Sequence, residues 1–228
     1  MLSNVESQAL FLSLRVSLVA VSCALPFAIA AALLLTRARF PGKSLVDSAL
    51  HVPLVLPPVV VGYLLLTILG TRAPLGAWLL QNLGIRFAFS WTGAALAAGL
   101  ITFPFQLRAI RLALSLIDTG LSQAAATLGA GPFDRFFNII LPLALPGILT
   151  GLITAFAASL GEFGAIITFV SNIPGETQTL PLAIYSALEA PGGETEAARL
   201  SLISIALALI GMVLAEIAER RMRALVAS

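Results

Sequence analysis

Five long apolar stretches constrain this chain more than anything else in it. They cover about Val16 to Thr36, Ser48 to Gly70, Phe87 to Leu107, Leu143 to Val170 and Leu200 to Ala215. A helix needs roughly 20 predominantly apolar residues to cross a bilayer. The first stretch has 21 and measures about 31 Å as a helix. That is too long for the apolar region of a signal peptide, although Ala28-Ile29-Ala30 loosely resembles a cleavage site. The last stretch is short, but Leu200 to Met212 holds no charge. The expected fold is therefore all-α: a polytopic membrane protein with five transmembrane helices, its domain covering residues 9–217 and its natural solvent lipid.

Composition agrees. Only 11% of the 228 residues are charged and 59% are apolar, whereas a soluble domain carries about 25% charged residues. The net charge of +2 comes from basic residues scattered between apolar stretches, so it is no nucleic-acid signal. The single cysteine, Cys23, excludes a disulfide framework and a cysteine zinc cluster, and no metal site is expected.

The Lys and Arg residues instead set the topology. Arg37, Arg39, Lys43, Arg108, Arg111, Arg135, Arg220, Arg221 and Arg223 fall in alternate connecting segments and the C-terminal tail, nine on one side. Arg15, Arg72, Arg86 and Arg199 fall on the other, four in all. The positive-inside rule puts the nine in the cytoplasm. The N-terminus is then outside and the C-terminus inside, as an odd number of spans requires. The segment 171–199, with Pro174, Gly175, Pro191 and four glutamates, is expected to be mainly a solvated outer loop, and Leu182 to Leu188 has the pattern of a short helix. A docking surface for an extracytoplasmic partner is the sharper reading of that loop.

The inner segment from Arg108 to Pro142 is the most informative. Leu121, Ala124, Ala125 and Leu128 follow the i, i+3, i+4, i+7 spacing of an amphipathic helix. Asp118 or Thr119 suits its N-cap. Gly129 suits the left-handed position that ends a helix, and Pro132 the first turn of another. Phe133, Phe136, Phe137 and Ile140 repeat the apolar spacing, and Leu141-Pro142 is expected to end the unit. Residues 119–140 carry only Asp134 and Arg135 as charges. That is too few for a helix pair lying on anionic lipid or reading DNA. The reading that remains is a helix pair seated in a groove of another protein.

Within the membrane, Pro53, Pro57 and Pro58 interrupt the second stretch and precede Gly62. Proline removes a backbone donor, so a broken helix and a channel wall are expected there. Glu162, flanked by Gly161 and Gly164, is an intramembrane carboxylate and a functional candidate by default. A bare carboxylate repels an anionic cargo, so Glu162 is read as hydrogen-bonded to a neighbouring helix or protonated, not as a ligand. Gly147 and Gly151 form a small-xxx-small pair that permits close helix packing. His51 is read as packed or interfacial.

Gln123-Ala124-Ala125, Gly129 and Ile139-Ile140-Leu141-Pro142 resemble the EAA loop of ATP-binding-cassette (ABC) importer permeases, with Gln123 where that motif has Glu. The spacing from Ala125 to Gly129 to Ile139 matches that motif throughout, which makes residues 119–142 the corresponding loop. Phe40-Pro41-Gly42-Lys43, Leu54 to Tyr63, Ala109 to Leu114, Gly161 to Ala165 and Phe169 to Thr177 are similar to the molybdate branch of these permeases. The sulfate branch diverges in the last two stretches. The resemblance implies a type I ABC importer fold in a bacterial inner membrane. It implies a homodimer of this subunit, two ATPase subunits and an extracytoplasmic molybdate-binding protein. It also implies that Gln123, Ala124, Ala125, Gly129, Phe133, Phe136, Ile139, Leu141 and Pro142 transmit force from the ATPase. The chain has no phosphate loop of the G-x-x-x-x-G-K-[ST] type. No cofactor is therefore expected in it, ATP and magnesium belonging to the partner. Tungstate or sulfate are the alternative cargoes. An ion-coupled secondary transporter needs more intramembrane ionisable residues than Glu162, and a membrane enzyme needs a catalytic constellation that one histidine does not supply.

Overall fold

The computed structural model describes residues 3–226 and is all-helical among them. The helices are α1 (Asn4–Arg37), α2 (Lys43–Val55), α3 (Pro58–Leu69), α4 (Pro74–Leu83), α5 (Trp91–Leu116), α6 (Thr119–Thr127), α7 (Pro132–Arg135), α8 (Leu141–Leu160), α9 (Gly164–Val170), α10 (Leu180–Glu189) and α11 (Glu194–Val226). Four helical stretches are long and apolar enough to cross a membrane, and α2 with α3 makes a fifth if that bent pair counts as one span.

Three apolar centres hold the bundle, and alanines line the first of them along α5. In α5, Ala94, Ala95, Ala97 and Ala98 are buried with Ala20 of α1, and the Cβ that Gly99 lacks would lie 3.3 Å from the Ala20 carbonyl. Toward the other end, Ala28, Ala32 and Leu35 of α1 meet Leu107, Ile110 and Leu114 of α5 and Ile140, Ala144 and Ile148 of α8. Lipid tails are as apolar as leucine, so helices gain little from hiding apolar surface from lipid. Close backbone approach has to supply the attraction. The pair Gly147 and Gly151 serves that purpose: a Cβ at Gly147 would clash with the Cβ of Ala113, and one at Gly151 would sit 3.1 Å from Gln106 Cα.

This second centre gathers Arg37, Arg39, Lys43, Arg108, Arg111 and Arg135 at one end of the bundle, called here the basic end. Toward the opposite end three arginines are tied down. Arg199 pairs with Glu6 at 3.0 Å and Arg86 with Glu176 at 3.0 Å, while Arg15 lies 3.7 Å over the Trp91 ring. The side chains of Arg220, Arg221 and Arg223 lie outside what is described.

The structure differs from the expected spans in four places. Between α2 and α3 the chain turns by 110°. Pro57 and Pro58 cannot donate to the preceding turn, and Leu56 and Pro57 stay extended. The third helix starts at Trp91 rather than Phe87, capped by the Ser90 hydroxyl on Gly93 N–H, and runs on to Leu116. The fourth stretch splits at Gly161–Phe163 into α8 and α9. The outer segment is no solvated loop: α10 buries Leu180, Leu182, Ala183 and Ala187, and the Ser13 hydroxyl of α1 accepts the Leu180 N–H at 2.7 Å.

Candidate functional site

Two places bring the singled-out residues together. The first is the corner at the basic end. Asp118 caps α6, its carboxylate accepting the Gly120 N–H at 2.8 Å. At the far end of α6, Ala130 N–H bonds to the Ala125 carbonyl at 3.0 Å and Gly129 N–H to that of Ala126 at 3.1 Å, with Gly129 at φ 89°. This is the Schellman closure, and it needs the left-handed conformation that glycine adopts without cost. Pro132 then opens α7, and the Arg135 guanidinium reaches back to the Ser122 carbonyl at 3.4 Å.

Leu141-Pro142 does not end the unit, contrary to expectation. The helix from Pro132 continues into α8 through one π-turn over Phe136–Ile140, in which Leu141 N–H bonds to the Phe136 carbonyl. Pro142 has no N–H to offer the Asn138 carbonyl, and a wider turn relieves the clash that its ring would make there. The second arm of the corner is thereby one continuous rod with the fourth span.

The apolar residues of this unit divide by role. Phe136, Ile140 and Leu141 pack into the core between α1, α5 and α8. Leu121, Leu128, Phe133 and Phe137 remain exposed, Leu128 at 88% and Phe133 at 78%. Gln123 and Ala124 are exposed on α6, and Ala125 and Ile139 are half-buried. Four large apolar side chains are thus held out on the corner, uncovered by the rest of the chain.

The second place lies within the membrane, where the break between α2 and α3 meets the break between α8 and α9. A Cβ on Gly164 would approach Pro58 Cβ to 3.0 Å, and one on Gly62 would come within 2.6 Å of the Ala165 carbonyl and 2.8 Å of Thr168 Cβ. Pro58, Gly62 and Glu162 therefore share one junction, with both Pro57 and Pro58 exposed at its edge. Glu162 is buried, and its Oε1 accepts the Ala165 N–H at 2.8 Å. Its partner is thus the N-terminus of the helix that follows it in the chain, rather than a neighbouring helix. A carboxylate is stabilised there by the free amides and the positive end of the helix dipole. Glutamine keeps an oxygen at the same place. Glu162→Gln is expected to retain more than about half of wild-type transport, whereas Glu162→Leu, which leaves Ala165 N–H unpaired at a cost of roughly 1–3 kcal/mol, is expected to lose most of it. Abolished transport in a well-folded Glu162→Gln variant would show that the charge itself is needed.

His51 sits half-buried at the basic end, its Nδ1 2.8 Å from the Asp47 carbonyl, with Arg111 paired to the same aspartate. Three polar contacts between helices were missed in the sequence. Gln106, fully buried in α5, donates to the Val21 carbonyl at 3.0 Å. That carbonyl lies beside the turn that Pro26 loosens in α1. Ser159 donates to Ser17 at 3.0 Å, and Ser13 caps α10. The available signal was a glutamine and serines inside apolar spans, where polar side chains act as glue between helices. Among the described residues, no cluster of His, Cys, Asp and Glu is able to hold a metal.

Comparison with known proteins places this geometry. A family model described as "binding-protein-dependent transport system inner membrane component" matches residues 24–224. The chain is 60% identical over 215 residues to the molybdenum transport system permease protein ModB of Escherichia coli K12, covering 94% of each chain. It is 53% identical over 218 residues to the ModB of Haemophilus influenzae, covering 96% of this chain and 95% of that one. The fold also matches a solved bacterial alginate ABC transporter in complex with an alginate pentasaccharide-bound periplasmic protein. There the TM-score is 0.77 at 19% identity, covering 96% of this chain and 80% of that one.

Proposed function

We infer that this chain, which belongs to the family of binding-protein-dependent transport system inner membrane components, is the permease subunit of an ABC importer and that its cargo is molybdate. It is a multi-pass membrane protein and not itself an enzyme. The observation that carries the cargo assignment is the relatedness, along nearly the whole of both chains, to permeases named for molybdenum. Neither the tungstate nor the sulfate alternative is favoured, and nor is an ion-coupled transporter.

The transport domain occupies residues 9–217. Two copies of this subunit line the path, and two separate ATPase subunits bind ATP and magnesium. The basic end faces the cytoplasm, with the N-terminus outside and the C-terminus inside. The exposed Leu121, Leu128, Phe133 and Phe137 seat in a cleft of the ATPase, and the EAA positions Gln123, Ala124, Ala125, Gly129, Ile139 and Pro142 shape the corner that presents them. Because α7 runs without interruption into α8, closure of the ATPases tilts the fourth span. The junction of Pro57, Pro58, Gly62 and Glu162 then opens or shuts the path. An extracytoplasmic binding protein delivers molybdate to the end that carries α10.

The test is reconstitution of the chain with its ATPase and binding protein in proteoliposomes. Loaded binding protein is expected to stimulate ATP hydrolysis and molybdate uptake together, with molybdate well above sulfate. Equal stimulation by sulfate would overturn the cargo assignment. Uptake driven by an ion gradient without ATP would overturn the importer assignment.

A further inference from the structure

We propose that the polar opening between α1, α2 and α5 at the basic end is a binding site for one dissolved tetrahedral oxyanion, separate from the junction of Pro58, Gly62 and Glu162. The inference rests on the reading of the cargo only for which oxyanion fills the site in the cell.

The opening has a volume of about 750 Å³, and hydrogen-bond donors dominate its wall. Arg108 and Arg111 come from α5, Ser48 from α2 and Thr36 from the end of α1. Asp47 is the one carboxylate in the lining, and Arg111 and His51 share it. Arg111 gives that carboxylate one N–H, so most of its donor fork is left for a ligand. Arg108 is exposed and has no partner among the described residues, and the hydroxyls of Ser48 and Thr36 have none either. Two guanidinium groups against one carboxylate leave the cavity positive. A fully ionised tetrahedral oxyanion has four acceptor oxygens and no donor, which is the complement of this wall, and guanidinium forks match such oxygens in pairs. Topology accounts for arginines at this end of the bundle. It does not account for two of them converging on one cavity with two uncommitted hydroxyls.

The phosphate of a lipid headgroup offers the same chemistry, but the surroundings favour the dissolved ion. An apolar groove also lies between α1, α2 and α5, and Ala49, Leu50 and Pro53 of α2 line it. These residues occupy the opposite face of α2 from Asp47, Ser48 and His51, and the two cavities share no lining residue. The groove therefore gives an acyl chain no track from the arginines. An oxyanion held by Arg108 and Arg111 of α5 and Ser48 of α2 has a mechanical consequence. Helix α2 is the arm that leads into the 110° turn. The bound ion adds a second clasp between that arm and α5, beside the pair of Arg111 with Asp47.

The experiment uses the intact permease in mild detergent, without ATPase or binding protein, and measures binding of molybdate, inorganic phosphate and sulfate by titration calorimetry. Wild type is expected to bind each at one site per chain. Arg108→Gln is expected to weaken binding about fivefold, as for one solvent-screened charge-assisted contact. Asp47→Asn removes the opposing charge and is expected to tighten binding about threefold. A merely structural clasp between Arg111 and Asp47 predicts no tightening. Arg72→Gln changes an exposed arginine outside the opening and is expected to leave binding unchanged. Equal weakening by Arg72→Gln would reduce the effect to general surface charge and overturn the site. Affinity unchanged in both Arg108→Gln and Asp47→Asn would overturn it too. So would native mass spectra in which Arg108→Gln releases a retained phospholipid while delipidated protein takes up no oxyanion, since the opening would then hold a headgroup. Tighter binding of sulfate than of molybdate would support the site and count against the cargo reading, so the two fail separately.

Discussion

Gly129→Val is expected to leave the chain inserted in the membrane and to cut ATP-driven molybdate uptake at least roughly five- to thirtyfold. Gly129 sits at φ 89° in the Schellman closure of α6, and a Cβ there meets no neighbour within 4 Å. The penalty is therefore conformational and not steric crowding. A left-handed backbone costs an L-residue about 1–2 kcal/mol, and a β-branched side chain sits at the upper end of that range. A bias of this size changes a two-state ratio by about five- to thirtyfold. The valine chain escapes the strain by opening the corner between α6 and α7, which swings Leu128 and Leu121 away from Phe133 and Phe137. Asparagine tolerates the left-handed region, so Gly129→Asn is the discriminating control and is expected to keep most of the activity. Uptake and ATP hydrolysis are measured together in proteoliposomes. Full coupling in the valine variant, at wild-type expression, would remove this corner from the force path.

Gly62→Leu is expected to abolish transport while the protein still reaches the membrane. The first added carbon would lie 2.6 Å from the Ala165 carbonyl and 2.8 Å from Thr168 Cβ. Neither atom is the end of a flexible side chain. Helices α3 and α9 have to separate, and overpacking of this kind costs typically about 1–3 kcal/mol. The same displacement pulls α9 off the Glu162 carboxylate that caps it. Even Gly62→Ala is expected to lose activity measurably, because the clash begins at the Cβ. Two measurements check this: uptake, and the accessibility to a thiol reagent of a cysteine placed at the exposed Val59. Wild-type uptake by Gly62→Leu would show that the two breaks need not touch.

Much of the corner at the basic end was legible in the sequence because its signals are local. Asp118 as cap, Gly129 as left-handed terminator and Pro132 as first-turn residue each act within four or five residues of themselves. The expected stop at Leu141-Pro142 failed for a physical reason. A proline near the start of a helix costs little when a π-turn absorbs its ring, and sequence spacing does not register that wider turn. The intramembrane proline break was legible, but its 110° angle and its partner were not. The meeting of Pro58 with Gly164 and of Gly62 with Ala165 depends on helices about 100 residues apart.

By itself the sequence determined the solvent, the number of long apolar stretches, the sorting of basic residues and the position of the bent corner. Hydropathy, charge and backbone preference are properties of single residues and their near neighbours, so they survive without a fold. Only the tertiary structure decided that α7 and α8 form one rod, that α10 is packed against α1 and α11, and that Glu162 accepts the Ala165 N–H at the start of α9. It also decided that Gln106 bridges two spans and that Arg111 of α5 pairs with Asp47 of α2. Each of these is a close approach between distant segments, set by which small residues let which backbones touch, and pairwise distance is written nowhere in a linear chain.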